Sequence, residues 1–334
     1  GYGAKYAGVG SGVYVINLTD TDRPGKIEKF IDIEDKAANG IVNSVPGDPI
    51  VINRDSAKGY VNYGGAIVYV NDLEGKITKI NLTDLFEPNL KLYDHYTLFD
   101  VKSTSSDGRL MYHSMDAAIG KDTKQLWLFA GTGDFNNLTD TTTVGGNVLL
   151  GIADEKFPEF KTPADVQNFN SGATTVPPTI DDLATCLDTT KYTVLSPGVN
   201  CPKKMPAGIP SKKGWVIYLD KHKKVTASPT VSGGIAYFPV FSPPVTGDKC
   251  KNGAATMCAV DDECGTNFSS RLGKHAKSDK CLYVGEGILS KIVTYGGKIY
   301  ANIAGKSDTG SDLIEKDSIG MEVDITRGTW KENF

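Results

Sequence analysis

The chain has 334 residues, a formal net charge of −4, six Cys and only four His. That mild acidity excludes broad electrostatic binding to DNA or to an anionic membrane, so no nucleic-acid partner is expected. No apolar run reaches the roughly 18 residues of a bilayer-crossing helix, so the chain is not expected to span a membrane.

Gly12–Asp20 reads Gly-Val-Tyr-Val-Ile-Asn-Leu-Thr-Asp. Val13 and Val15 alternate with Tyr14 and Ile16, and both sets are apolar. This pattern predicts a strand buried on both faces. Asn53–Asn62 follows as a turn before a strand and is the most serious metal candidate. A calcium loop needs oxygen ligands at alternate positions and a closing carboxylate. Asn53, Asp55 and Asn62 are the side chains available, but Arg54 and Lys58 intrude and Asn62 stands where a carboxylate belongs. A bound calcium is therefore a weak candidate, and no cofactor is expected.

The opening phrase returns at 66–84 as Ala-Ile-Val-Tyr-Val-Asn-Asp-Leu-Glu-Gly-Lys-Ile-Thr-Lys-Ile-Asn-Leu-Thr-Asp. Asp72–Gly75 predicts a hairpin turn with Gly75 at positive φ. Residues 84–88 predict one helical turn stopped before Pro88. A third version, Leu-Trp-Leu-Phe-Ala-Gly-Thr-Gly-Asp, covers 126–134. Its Gly131-Thr-Gly-Asp134 has no strand–turn–helix context, so it predicts a turn between strands and not a nucleotide site.

Residues 156–212 break the regularity with eight Pro. They predict an irregular insertion, with short helical starts at Asp165 and Ile180. Removing 160–208 is expected to leave the remainder folded. Lys203, Lys204, Lys212, Lys213, Lys221, Lys223 and Lys224 read as solvated lysines on loops and a strand edge. Strands resume at Trp215 and again in Gly233–Phe241. A second irregular stretch is expected at 242–280, where Asp261-Asp262-Glu263 reads as a solvated acidic face. Strands return at 281–305, and the chain closes through Ile325 to Trp330.

Val13, Ile67 and Leu126 lie 54 and 59 residues apart, and repeats of roughly 40–50 residues, each holding several strands, mark the blades of a propeller. One blade cannot bury both faces of its sheet, so blades stack around an axis. The expected fold is a single all-β, quinoprotein-like propeller of about five to seven blades spanning 1–334. The irregular stretches 156–212 and 242–280 would be disulfide-containing insertions.

All six Cys lie in the second half: Cys186, Cys201, Cys250, Cys258, Cys264 and Cys281. None forms a Cys-x-x-Cys pair or sits at zinc spacing from His, so disulfides and an oxidising compartment are expected. Cys186 is expected to pair with Cys201, closing one loop of the insertion, and the other four would staple 250–281. Sequons at Asn17, Asn81, Asn137 and Asn267 read first as Asx turns at strand ends.

Tyr69-Val-Asn-Asp-Leu-Glu-Gly-Lys-Ile-Thr-Lys-Ile-Asn-Leu resembles the blade phrase Tyr-x-Gly-Asp-Leu-x-Gly-Asn-x-Trp-Arg-x-Asp-Leu of the PilC/PilY family of type IV pilus tip proteins. Further phrases resemble that family in order: Gly12-Val-Tyr-Val-Ile, Phe129-Ala-Gly-Thr-Gly-Asp-Phe, Leu150-Gly-Ile-Ala-Asp-Glu, Gly214-Trp-Val-Ile-Tyr-Leu-Asp, Ser228–Phe238 and Arg327-Gly-Thr-Trp-Lys-Glu. Asn71 stands where the family has Gly, and Lys79 where it has Arg. The family's acidic calcium loop falls on Asn53–Asn62, where the ligand set is degenerate.

The resemblance implies the C-terminal propeller of a longer exported protein, reaching the cell surface or pilus through the periplasm. It implies a role in pilus biogenesis and adhesion. Partners would be pilins or other filament subunits, and a host or surface ligand. The chain is expected to bind through its irregular loops and not to be an enzyme. The rival readings are a cleaved structural subunit of an extracellular filament and a quinoprotein-like dehydrogenase.

Overall fold

A computed structural model of the chain describes residues 9–34, 41, 43–53, 65–82, 92–104, 107–141, 146–158, 177–185, 213–220, 222–244, 252–265, 281–304 and the backbone of 313–316. The strands fall into five sheets taken in chain order. The first holds β1 (Gly12–Asn17) and β2 (Lys26–Asp32). The second holds β3 (Ile50–Asn53), β4 (Ala66–Asn71), β5 (Lys76–Asn81) and β6 (His95–Asp100).

The third holds β7 (Asp116–Ile119), β8 (Leu126–Gly131), β9 (Val148–Asp154), β10 (Ala184–Thr185) and β11 (Gly214–Tyr218). The fourth holds β12 (Lys224–Val225), β13 (Thr230–Ser232), β14 (Ile235–Ser242), β15 (Ala254–Asp261) and β16 (Cys281–Glu286). The fifth holds β17 (Ile288–Leu289), β18 (Val293–Tyr295), β19 (Lys298–Ala304) and β20 (Leu313–Lys316). Within the sheets every pairing is antiparallel except β10 with β11.

Alternation explains how the sheets stack. Successive side chains of a strand point to opposite faces. On β4, Ile67 and Tyr69 enter one core, while Val68 and Val70 enter the core shared with the first sheet. On β8, Leu126 and Leu128 face the second sheet, and Trp127 and Phe129 face the fourth. On β14, Phe238 and Val240 face the third sheet, and Ile235 and Tyr237 the fifth. Each inner sheet is thus apolar on both faces, and four cores join five sheets in series. A fully buried aliphatic or aromatic side chain contributes about 1.5–3 kcal/mol, so these stacked cores are the main stabilising element.

Three expectations are corrected. β1 is not buried on both faces: Val13 and Val15 pack inward, but Tyr14 and Ile16 are 57% and 49% exposed. The reason is positional, because among the described residues the first sheet has a neighbour on one side only. The stretch 242–280 is not wholly irregular, since β15 runs through it as the partner of both β14 and β16. Its sequence Ala-Ala-Thr-Met-Cys-Ala-Val-Asp shows little alternation because both faces are covered. The span 160–208 is not dispensable, since Ile180 and Leu183 belong to the core between the second and third sheets. The helical start expected at Ile180 is a single 3-10 turn, Ile180–Asp182, with Thr179 and Asp182 forming a capping box.

Candidate functional site

The phrase residues meet at the boundary between the second and third sheets. Tyr69 on β4 and Lys79 on β5 are direct cross-strand neighbours. Asp154 closes β9 in the next sheet. The Lys79 Nζ lies 2.5 Å from Asp154 Oδ2, and the Tyr69 hydroxyl donates to the same oxygen at 2.7 Å. Lys79 also sits 5.9 Å from the Tyr69 ring centroid. All three side chains are essentially without solvent contact. Burial pulls the Lys79 ammonium below its ordinary pKa, against the opposing pull of Asp154. Burial, then the charge and hydrogen bond of Asp154, push the Tyr69 phenol far up. A charge pair this dry survives only when each member keeps its partner. Its geometry is that of a clamp between sheets.

A second polar cluster surrounds the β4–β5 turn. Asn43 Nδ2 donates to Asp72 Oδ2 at 3.0 Å and to Glu74 Oε2 at 2.5 Å. Lys76 Nζ pairs with Glu74 at 3.1 Å, and the Lys76 amide donates to Asp72 Oδ1 at 3.0 Å. Gly75 has φ +83°, as its turn position predicts, and a Cβ there would lie 2.1 Å from Val101 Cγ1. Burial pushes the Asp72 carboxyl up to about 7, against the hydrogen bonds from Asn43 and Lys76. Next to this turn, Asn71 Nδ2 donates to the carbonyls of Met111 and His113. The His113 ring meets Phe135 edge-on at 4.9 Å.

Two charge clusters behave differently from their sequence reading. Asp261, Asp262 and Glu263 are buried, not a solvated face. Glu263 accepts from the amides of Asp122 and Thr123 at 2.8 and 2.7 Å, tying the β15 turn to the β7–β8 turn. Lys224 is also buried, with Nζ donating to the carbonyls of Leu138 and Asp140 at 3.2 and 2.6 Å. Lys213 and Lys223 do pair at the surface, with Glu155 and Asp220. Lys203, Lys204, Lys212 and Lys221 lie outside the described residues.

Gly131–Asp134 forms a turn between strands. Asp134 caps the 3-10 turn Phe135–Asn137, and a Cβ on Gly131 would lie 2.4 Å from Val225. Asn17 makes the expected Asx turn, its Oδ1 accepting from the Thr19 amide at 3.0 Å. Asn81 is buried, and Asn267 lies outside the described residues.

Cys258 and Cys281 are register partners on β15 and β16 and are joined by a disulfide. Cys264 is disulfide-bonded as well. Cys186, Cys201 and Cys250 lie outside the described residues, and with them the Cys186–Cys201 pairing. Asn53 ends β3, but Asp55 and Asn62 also lie outside. Among the described residues no group of three or more His, Cys, Asp or Glu could hold a metal ion. No helix there is long and apolar enough to cross a membrane.

The surface feature that sequence reasoning missed is an aromatic face on the first sheet. Tyr14 and Phe30 are register partners with ring centroids 4.8 Å apart, and Ile16 pairs with Ile27 beside them. All four are exposed. The signal was present in the apolar Tyr14 and Ile16, but only the position of the sheet shows that none of the described residues covers them.

The chain matches a crystal structure of the Pseudomonas aeruginosa PilY1 C-terminal domain with a TM-score of 0.56 and 14% sequence identity. The match covers 93% of this chain and 67% of that one. The fold is a β-propeller of that kind. No family model and no curated protein matches the sequence. At this identity the likeness concerns the fold. The serial stacking of the five sheets agrees with that fold.

Proposed function

We propose that the chain is a pilus-associated, exported propeller that works by binding and not by catalysis. It would act in pilus assembly and adhesion. The observation that carries this reading is the fold likeness to the PilY1 C-terminal domain across 93% of the chain. The chemistry agrees with it. Tyr69, Lys79 and Asp154 stand at positions of the family phrases, yet they are sealed between sheets and serve the scaffold. Cys258–Cys281 suits an oxidising compartment reached by export. Variable function on a packed scaffold sits on its connecting loops, which here means the long connections 186–212 and 266–280. Their partners would be filament subunits or a surface ligand.

The test is an internal deletion that spares the core. Replacing 188–210 by a short Gly-Ser linker leaves Ile180, Leu183 and β11 in place. Because the replaced span holds Cys201, the variant also carries Cys186→Ser; it should remain folded, less stable by no more than the roughly 2–4 kcal/mol of one disulfide, and should lose attachment when it replaces the parent on pili. Unchanged attachment by a folded variant would reject loop-mediated binding.

A further inference from the structure

Three sequons share the sequence Asn-Leu-Thr-Asp, at Asn17, Asn81 and Asn137, so local sequence does not rank them. The fold does. Asn81 is 1% exposed and ends β5 opposite Ile67. Its amide donates to the Asp94 carbonyl and its carbonyl accepts from the Tyr93 amide, both at 2.8 Å. A substituent on its carboxamide would have to enter the packed interior. Asn17 is half-buried, and its Nδ2 donates to Glu28 Oε1 at 3.2 Å. Asn137 is exposed, and so are Phe135, Asn136 and Thr139 beside it.

The loop that holds Asn137 is anchored from below and open above. The Asn136 amide donates to Asp134 Oδ1 at 3.1 Å, and the Asn136 side chain donates to the Tyr112 hydroxyl at 3.1 Å. The Asp140 amide donates to the Asn137 carbonyl at 3.2 Å. Underneath, the buried Lys224 ammonium donates to the carbonyls of Leu138 and Asp140. The polar groups flanking the sequon are thus satisfied from within, while the side chains of Asn137 and Thr139 face water. The Thr139 hydroxyl donates to Asn137 Oδ1 at 3.4 Å. Among the described residues nothing accepts from Asn137 Nδ2. A sugar on that nitrogen therefore displaces no protein hydrogen bond, whereas at Asn17 it competes with Glu28 and at Asn81 with the core.

We propose that Asn137 is an N-glycosylation site, the acceptor of a sequon carried on a surface loop. The proposal rests on the export reading, because sequon glycosylation belongs to secreted chains. The donor class is an oligosaccharide linked to a lipid diphosphate. Asn137 Nδ2 bonds to the anomeric carbon of the sugar, and the bond from that carbon to the diphosphate oxygen breaks. Its electron pair leaves with the lipid diphosphate, and the proton lost from Nδ2 passes to a base of the transferase. Thr139 is the third residue of the sequon and supplies its hydroxyl. Asn81 has the same four residues and stays unmodified because the fold buries it.

Peptide mass spectrometry on the chain purified from the cells that export it tests this. The peptide holding Asn137 should carry the oligosaccharide mass, and an amide-cleaving glycosidase should leave Asp in its place. Asn137→Gln and Thr139→Ala should each abolish the added mass, while Thr139→Ser and Asn81→Gln should keep it. These changes at 137 and 139 lie on exposed side chains, so the variants should fold as the parent does. An unmodified Asn137, or a glycan on Asn81 of the folded chain, would overturn the proposal. Thiol titration of the same denatured, unreduced sample separates the two readings. An unmodified Asn137 with every Cys paired strikes the glycan and leaves export standing, and an unmodified Asn137 with free thiols strikes both.

Discussion

Lys79 on β5 reaches Asp154 on β9 across a sheet boundary, and the Tyr69 hydroxyl shares the same carboxylate oxygen. Residues far apart in the sequence therefore hold the second and third sheets in one register. Taking either charge away strands the other in a dry site. Lys79→Ala or Asp154→Ala should each cost about 3–5 kcal/mol in urea unfolding. Lys79→Met combined with Asp154→Leu should cost clearly less than the two single changes added together. A single substitution that costs under about 1 kcal/mol would mean that water reaches the pair.

Asp72 gives the β4–β5 turn its own pH dependence. Burial raises its folded pKa to about 7 from 3.8. The folded state therefore holds a proton that the unfolded state gives up between these values, so stability from this group falls as pH rises from about 4 to 7. Above 7 the effect levels off. Asp72→Asn removes the titration, and the stability gap between parent and variant should change across that window and nowhere else. A gap that stays constant from pH 4 to 7 would contradict the assignment.

His113 runs the other way. Burial lowers its pKa from 6.5 to about 4. The unfolded state then takes up a proton that the folded state refuses, so stability is lost as pH falls from about 6.5 to 4. The His113 ring carbons should titrate by NMR near pH 4, and His113→Phe should lose the corresponding dependence. A midpoint near 6.5 would place the ring in water.

Cys258 and Cys281 pin β16 to the fourth sheet. Replacing both with Ala should lower stability by about 2–4 kcal/mol, because the unfolded loop is no longer restricted. The denatured, unreduced parent should show no reactive thiol. Free thiols in that titration would undo both the full pairing of the six Cys and the case for an oxidising compartment.

The parts legible in the sequence were those set by local pattern. Gly75 with its flanking alternation marked a hairpin, and Tyr69, Lys79 and Asp154 stood out within phrases. What stayed hidden depended on distant partners. Glu263 looks like a solvated acid until the amides of Asp122 and Thr123 arrive from another turn. Lys224 looks like a surface lysine until the carbonyls of Leu138 and Asp140 surround its ammonium. β15 lacks alternation because its two faces meet the third and fifth sheets. Tyr14 and Ile16 misled in the opposite sense, since a pattern fit for two-sided burial occupies a sheet at the end of the series.

Co-sedimentation with purified type IV pili tests the central proposal most directly. The purified chain should pellet with filaments at low micromolar concentration, and the 188–210 deletion should stay in the supernatant although it remains folded. A folded parent chain that remains wholly in the supernatant would contradict a pilus-associated binding role.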